Sequence, residues 1–183
     1  MRVITGTARG VPLATLPGED IVRPTSQRVK EAMFSAVQFE IAGRAVLDAF
    51  AGSGQLGIEA LSRGAASCLF LESNAKAAEV LAKNLERCRV AEKSKLLPAD
   101  ALQYMRRTAE RFGLIFLDPP YGAGLLEEAI PLAAGLLEPE GLLLCEAPAR
   151  DSLPEQAGDV ALRKSYRHGK IKIHVYQKGL ARE

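Results

Sequence analysis

Apolar and polar positions follow the alternating order of strands and helices over most of the chain. After about residue 45, short apolar runs predict strands near 46–50, 67–72, 95–98, 114–118 and 141–146. Between them, apolar residues at helical spacing predict helices near 54–64, 74–89, 100–111 and 123–136. This alternation predicts an α/β fold of the Rossmann-like type, with a doubly wound, mostly parallel sheet.

The last segment changes to the two-residue period of strands. Residues 160–165 and 171–176 flank a short link that contains Gly169, and together they predict a closing antiparallel hairpin. A chain of 183 residues is long enough to bury one core. We therefore expect a single domain over residues 1–183, with an N-terminal arm and helix over residues 1–40 and a core over residues 41–183.

Three glycines follow the first strand of the alternating region. Gly52, Gly54 and Gly57 match the G-x-G-x-x-G pattern of a loop that lets the backbone approach a cofactor and then opens a helix. The same pattern is typical of nicotinamide and flavin oxidoreductases. Asp48 favours S-adenosylmethionine instead, because a carboxylate at the loop entrance repels a pyrophosphate and attracts an ammonium and a sulfonium. Phe50 of this loop is a further cofactor-binding candidate.

Acidic residues stand at the ends of the next two strands. Glu72 is placed to accept hydrogen bonds from both hydroxyls of a ribose. Asp100 is placed to accept one from the amine of an adenine, with Ala101 beside it. The simpler alternatives are a solvated acid at Glu72 and a helix N-cap at Asp100, since Asp is a favoured N-cap residue.

The tetrapeptide Asp118-Pro119-Pro120-Tyr121 closes the fourth predicted strand and carries the most specific chemical signal. A planar amine is a poor nucleophile while its lone pair is delocalised, so a methylating site must hold both of its N–H groups. The Asp118 carboxylate can accept one and the Pro119 carbonyl the other, and the X-Pro bonds fix both acceptors in extended geometry. Tyr121 offers a flat face for a stacked base. A stiff turn after a buried strand is the alternative.

These motifs, in this order and spacing, resemble class I S-adenosylmethionine-dependent methyltransferases that modify amines. Residues 1–6, 23–34 and 57–65 extend the resemblance over nearly the whole chain, to the bacterial 16S ribosomal RNA guanine-N2 methyltransferases. The chain departs from that pattern at Ser26-Gln27, where Thr-Asp is expected, and at Lys30, where Arg is expected. The resemblance implies methyl transfer to the exocyclic N2 amine of a guanine in 16S rRNA, free or in an assembling small subunit.

The segment before the first helix suits the other end of the cofactor. Thr25 can cap a helix, and the N-terminus of that helix together with Arg28 would suit the methionine carboxylate. The resemblance supports this placement, and the spacing alone does not require it.

Positive charge is concentrated at the two ends of the chain. Residues 1–38 hold 5 basic and 3 acidic side chains, residues 39–159 hold 12 and 18, and residues 160–183 hold 7 and 1. A flexible basic arm could close over a polyanionic substrate at the carboxyl ends of the strands. RNA contacts are expected at Arg2, Arg9, Arg23, Lys30 and Tyr121. The basic C-terminal hairpin suits a solvated strand face equally well, so its role stays open.

Composition argues against several other classes. The chain is 48% hydrophobic and 25% charged, and it carries no signal-peptide pattern and no bilayer-spanning apolar run, so we expect a cytoplasmic protein. Cys68, Cys88 and Cys145 are scattered singly, which offers neither a disulfide framework nor metal-ligand spacing. With only His168 and His174, no histidine metal site or Ser-His-Asp hydrolase is expected. We expect a monomer.

Alternatives remain within and beyond this class. An oxidoreductase fits the glycine pattern but not Asp48, and a non-catalytic RNA-binding module fits neither the intact loop nor the intact Asp118 motif. Protein glutamine-N5 and nucleic-acid adenine-N6 methyltransferases also act on planar nitrogens, the former typically with Asn in place of Asp118. Guanine presents N1–H and its N2 amine as two parallel donors that a carboxylate can accept, which slightly favours guanine.

Overall fold

The computed structural model describes residues 1–16, 27–120 and 124–179. The helices are α1 Gln27–Ala36, α2 Gln55–Ser62, α3 Ala75–Arg87, α4 Ala101–Arg107 and α5 Leu125–Leu136, with a 3₁₀ turn at Ala91–Lys93. The strands are β1 Ala45–Asp48, β2 Ser67–Leu71, β3 Ser94–Leu97, β4 Phe112–Leu117, β5 Leu137–Pro148, β6 Gln156–Ala157, β7 Val160–His168 and β8 Ile171–Lys178.

The strands form one sheet in the order β3-β2-β1-β4-β5-β8-β7-β6. Strands β1 to β5 are parallel, and β8, β7 and β6 are antiparallel to their neighbours. The order reverses between β1 and β4, which opens the crevice where ligands bind in doubly wound sheets. The predicted α/β architecture and the predicted closing hairpin are both confirmed.

Apolar side chains cover both faces of the sheet, as a parallel sheet requires. One face packs against α1, α2, α3 and the N-terminal segment, and the other packs against α4 and α5. Phe116 faces the first layer and Leu117 the second, because successive strand residues point to opposite faces. The end of β4 is therefore held from both sides, which fixes the position of the residues that follow it.

Strand β5 begins four residues earlier than predicted and contains an irregularity. Its register with β4 shifts between Phe112 and Leu114, and Glu140 adopts a φ of 59°. The Arg44 Nη1 donates to the carbonyl oxygens of Gly113 at 2.6 Å and Glu140 at 3.2 Å. The guanidinium thus satisfies backbone groups that the bulge removes from the ladder, which a period-based prediction does not detect.

The described part of the N-terminal arm is packed against the core and differs from the flexible arm that the charge pattern predicted. Val3, Ala8 and Leu13 are buried. The Ala8 N–H donates to Ser62 Oγ at 2.9 Å, and the Thr7 N–H donates to the Ser62 carbonyl at 2.9 Å. Residues 1–16 are therefore part of the folded unit. Among the described residues, no helix has the length and apolar character needed to cross a membrane.

Candidate active site

Four acidic residues lie at the carboxyl ends of neighbouring parallel strands. Asp48 ends β1, while Glu72, Asp100 and Asp118 follow β2, β3 and β4. Because β1 lies between β2 and β4, the first three acids border one side of the crevice and Asp118 borders the other. This arrangement leaves one groove over β1 to β3 and a second over β4 and β5, on the two sides of the switch point where doubly wound sheets bind ligands.

Asp48 holds the glycine loop through a buried hydrogen bond to the start of α2. Its side chain is buried, and its Oδ2 accepts a hydrogen bond from the Gly57 N–H at 2.9 Å. That N–H belongs to the first turn of α2, where an acceptor is needed and where the helix dipole favours negative charge. In this structure Asp48 therefore anchors the loop through Oδ2, and its expected approach to an ammonium and a sulfonium stays a prediction.

Two of the loop glycines are required by packing between protein groups. A Cβ on Gly57 would lie 2.2 Å from the Phe70 ring, and one on Gly54, whose φ is +84°, would lie 2.1 Å from Leu81 Cδ1. Any larger residue would push α2 away from β2 or from α3. Gly57 holds α2 close to the sheet, which is one of the recognised roles of the pattern, and Gly54 lets the loop pack against α3.

Glu72 connects the glycine loop to the start of α3. Its Oε2 accepts from the Gly52 N–H at 2.8 Å, and its Oε1 accepts from the Asn74 N–H at 2.7 Å. An ionised carboxylate has about four acceptor positions, so two bonds of this kind leave capacity for two hydroxyl groups. The half-buried, pre-oriented carboxylate beside the loop fits the ribose of S-adenosylmethionine.

Asp100, which follows β3, is the helix N-cap that the simpler alternative predicted. Asp100 is the N-cap of α4, and its Oδ1 accepts from the Gln103 N–H at 2.8 Å. Its side chain is exposed, so the capping bond does not exclude a ligand amine. Ala101 is buried in the core, and Phe50 is half-buried against the same layer.

Pro119, which directly follows Asp118, lines a cavity of about 190 Å³. Asp118 is half-buried and Pro119 is buried. The cavity is bordered by Pro119, Pro120, Glu146 and Pro148, and by the first turn of α5. Glu146 has a fully buried side chain near the end of β5, and the sequence analysis did not single it out. An acid inside the apolar run 142–147 was the available signal, because buried carboxylates are rare unless they have a specific role.

Asn84 is a second functional candidate that the sequence analysis missed. Its side chain is fully buried on α3. The Nδ2 donates to the carbonyls of Ser53 and Ala14, both at 2.9 Å, and the Oδ1 accepts from the Ala14 N–H at 2.9 Å. One amide thus ties the glycine loop to the N-terminal segment. The available signal was an Asn at the helical spacing of the buried Leu81.

The expected RNA contacts fall in different places. Arg2 and Arg9 are exposed, as is Arg28 on α1, whose expected partner is the methionine carboxylate. The structure contradicts the RNA-facing position of Lys30: its side chain is fully buried, and its Nζ lies 3.1 Å from Glu59 Oε2. Its position on the core-facing side of α1, next to a buried carboxylate, explains this. The expectations for Arg23, Thr25 and Tyr121 lie outside the described residues.

The fold, the switch point, the loop after β1 and the acid after β2 together define a class I methyltransferase. A protein family described as "Conserved hypothetical protein 95" matches residues 1–177, and the chain belongs to that family. The ribosomal RNA small subunit methyltransferase D of Escherichia coli K12 is 34% identical over 182 residues, which cover 97% of this chain and 90% of that protein.

Solved structures agree with this assignment. The protein yhhF of Escherichia coli superposes with a TM-score of 0.85 at 32% identity, over 97% of each chain. An RNA methyltransferase of Salinibacter ruber, solved with S-adenosyl-L-homocysteine, shares the fold with a TM-score of 0.68 at 14% identity, over 88% of this chain and 97% of that one. The predicted family, fold class, methyltransferase activity and S-adenosylmethionine cofactor are therefore confirmed.

Proposed function

We propose that the protein transfers a methyl group from S-adenosylmethionine to the N2 amine of a guanine in 16S ribosomal RNA. The observation that carries this proposal is the position of Asp118 and Pro119 across the switch point from the glycine loop, with Pro119 and Glu146 lining one cavity and Asp118 directly before Pro119. The name of the Escherichia coli relative, a ribosomal RNA small subunit methyltransferase, supports the RNA substrate.

The protein's contribution to the reaction is to position and desolvate the amine. S-adenosylmethionine supplies an electrophilic methyl group when it is bound over the loop after β1. Asp118 accepts one N–H of the amine and the Pro119 carbonyl accepts the other, so that the nitrogen lone pair points toward the cofactor side of the crevice. The amine becomes acidic only as the new bond forms, and its proton can then leave to water.

Mass mapping of 16S rRNA tests the proposal directly. RNA from a strain that lacks this protein should miss one N2-methylguanine, and the purified protein with S-adenosylmethionine should restore it. Methylation of an adenine, or of a protein glutamine, would replace the guanine assignment with one of those alternatives. Binding of NADH in place of S-adenosylmethionine, measured by calorimetry, would contradict the methyltransferase assignment itself.

Glu146 strengthens the preference for guanine over adenine. Guanine offers N1–H beside the N2 amine, so two carboxylates at the site, Asp118 and Glu146, match two donors. Adenine offers an acceptor at the corresponding ring nitrogen and would place it against a carboxylate. A carboxylate shielded from solvent discriminates strongly, because its repulsion of the lone pair on the adenine ring nitrogen is not screened by water.

Substitution of 2-aminopurine for the target guanine tests this pairing. 2-Aminopurine keeps the N2 amine but lacks the N1 proton, so we expect kcat/KM to fall about 10- to 100-fold for the wild-type enzyme. Glu146→Gln should reduce the difference in kcat/KM between guanine and 2-aminopurine, because a glutamine amide can donate to the unprotonated N1. Glu138→Gln, at the exposed opposite end of β5, is the matched control and should leave that difference unchanged. Equal use of both bases by the wild-type enzyme would contradict the role of Glu146.

The assignment of Glu72 is tested by cofactor binding. Glu72→Ala should weaken S-adenosylmethionine binding by about 1.5–3 kcal/mol, because charge-assisted bonds to the ribose hydroxyls are lost. Since Glu72 also holds the Gly52 and Asn74 N–H groups, the comparison should include a cofactor analogue without ribose hydroxyls. For that analogue the wild-type and variant proteins should bind more nearly alike. An unchanged dissociation constant for S-adenosylmethionine would remove Glu72 from the site.

A further inference from the structure

The turn of the C-terminal hairpin lies at the same edge of the sheet as the candidate active site. Ile171 pairs with Pro148 at the end of β5 and with His168 at the end of β7. The Ala149 N–H donates to the Lys170 carbonyl at 2.7 Å, which fixes the turn beside that strand end. The end of β4, Leu117, pairs with Cys145, three residues before Pro148. At about 3.3 Å per residue, the turn projects roughly 10 Å beyond the end of β4.

This turn carries a concentrated positive charge. We define the hairpin tip as Arg167, His168, Gly169, Lys170 and Lys172. All of these residues are exposed except Lys172, which is half-buried. Residues 160–178 contain no Asp or Glu. Within the described part of the chain, the three Lys and Arg side chains of the tip form no ion pair.

Three other basic residues of this region form ion pairs, whereas Lys164 of β7 lies over the Tyr166 ring, 5.1 Å from its centroid. Arg163 pairs with Glu40 at 2.9 Å, and Lys178 pairs with Asp159 at 3.6 Å, both away from the turn. Arg150, which follows β5, lies 3.7 Å from the carboxylate of Asp151. The hairpin tip is therefore an unneutralised basic surface that borders the β5 side of the active-site edge in the described structure.

In the described part of the N-terminal arm, Arg2 and Arg9 belong to a segment that is held away from this edge. The segment that carries Arg2 and Arg9 is bound to the second half of α2, through Glu59 and Ser62. Helix α2 begins at the glycine loop and runs away from the carboxyl ends of the strands. The strand ends themselves carry acids, which repel a polyanion. Cationic contacts are therefore needed beside the catalytic pocket.

We propose that the hairpin tip binds phosphates of the RNA strand that flanks the methylated nucleotide. This proposal rests on the function proposed above. A base that enters the pocket must leave its stack, which costs a few kcal/mol, and phosphate contacts next to the pocket offset that cost. Arg and Lys side chains on a rigid two-stranded turn bind the sugar-phosphate backbone without reading sequence. The tip therefore adds affinity and orientation, and the pocket selects the base.

A charge-removal variant tests the proposal. The tip variant carries Arg167→Gln, Lys170→Gln and Lys172→Gln. The matched control carries Lys93→Gln, Lys95→Gln and Arg111→Gln, which remove the same charge at the amino ends of β3 and β4. Binding of an unmodified 16S rRNA transcript should weaken roughly 10- to 100-fold for the tip variant at about 0.1 M salt, and the slope of log K against log salt should shrink by about 2. The control should bind RNA like the wild-type protein, and both should bind S-adenosylmethionine normally.

A variant that keeps the positive charge, and binding to assembled small subunits, complete the test. Lys170→Arg with Lys172→Arg should keep wild-type affinity, because the phosphate contacts are retained. Wild-type affinity and slope in the tip variant would overturn the proposal. The proposal would also be overturned if the tip variant bound naked RNA normally and lost binding only to assembled small subunits. That outcome would identify a ribosomal protein as the partner. Tip-dependent RNA binding without guanine methylation would refute the proposed function and leave the RNA contact standing.

Discussion

Asp118→Ala should lower turnover about 100-fold or more while leaving S-adenosylmethionine affinity nearly unchanged. The reason is geometric: without the carboxylate the amine loses one of the two acceptors that localise its lone pair. Asp118→Asn should retain part of the activity, because an amide oxygen still accepts one N–H. Single-turnover methylation of 16S rRNA, with cofactor binding measured separately by calorimetry, distinguishes loss of chemistry from loss of binding.

The pH profile separates positioning from proton abstraction at Asp118. If the carboxylate only positions the amine, turnover should change little near neutral pH. A steep profile on the chemical step, with an apparent pKa between about 6 and 8, would identify a general base instead. Asp159→Ala removes an exposed acid at the far end of the hairpin and should have wild-type turnover. Equal losses in both variants would show that the Asp118 effect is not specific to the site.

The sheet and helices could be predicted from the sequence because each element has a local pattern of apolar residues. Each of the five parallel strands is a short apolar run, and the helices between them repeat apolar residues on one side. The hairpin was predicted from its change of period, although β7 and β8 extend beyond the predicted ends. The irregular start of β5 was not predicted, because it depends on Arg44, which comes from a distant part of the chain.

Candidate site residues could be predicted from the sequence where they follow strands. They could not be predicted where their position depends on tertiary partners. Strand ends converge in any parallel sheet, so the predicted strands already placed Asp48, Glu72, Asp100 and Asp118 at one edge of the sheet. The buried contact of Asp48 with Gly57 was not predicted, since it depends on how the loop folds back. Glu146 was overlooked because a single acid within an apolar strand gives no periodic signal.

Lys30 shows most clearly how charge patterning fails. A lysine near a basic terminus is usually solvated, and the sequence does not show that Glu59 faces it. In the structure Glu59 is fully buried, and burial lowers the pKa of Lys30 although Glu59 acts in the opposite direction. The same carboxylate accepts from the Ile4 and Thr5 N–H groups at 2.8 and 3.0 Å and from Arg63 at 2.9 Å. The N-terminal segment, α1 and α2 are thus joined at one side chain.

Glu59→Gln should lower the free energy of unfolding by about 3–5 kcal/mol, because it leaves the Lys30 ammonium buried without its counter-charge. Lys30→Met should cost less, about 1–3 kcal/mol, since Glu59 keeps Arg63 and two backbone donors. The double variant should be more stable than Glu59→Gln alone, because it contains no uncompensated buried ammonium. Urea unfolding at constant m-value measures all three. Glu40→Gln is the control: its pair with Arg163 is partly exposed, and its loss should cost less than about 1 kcal/mol. A cost for Glu59→Gln no greater than for Glu40→Gln would mean that this cluster does not hold the N-terminal segment in place.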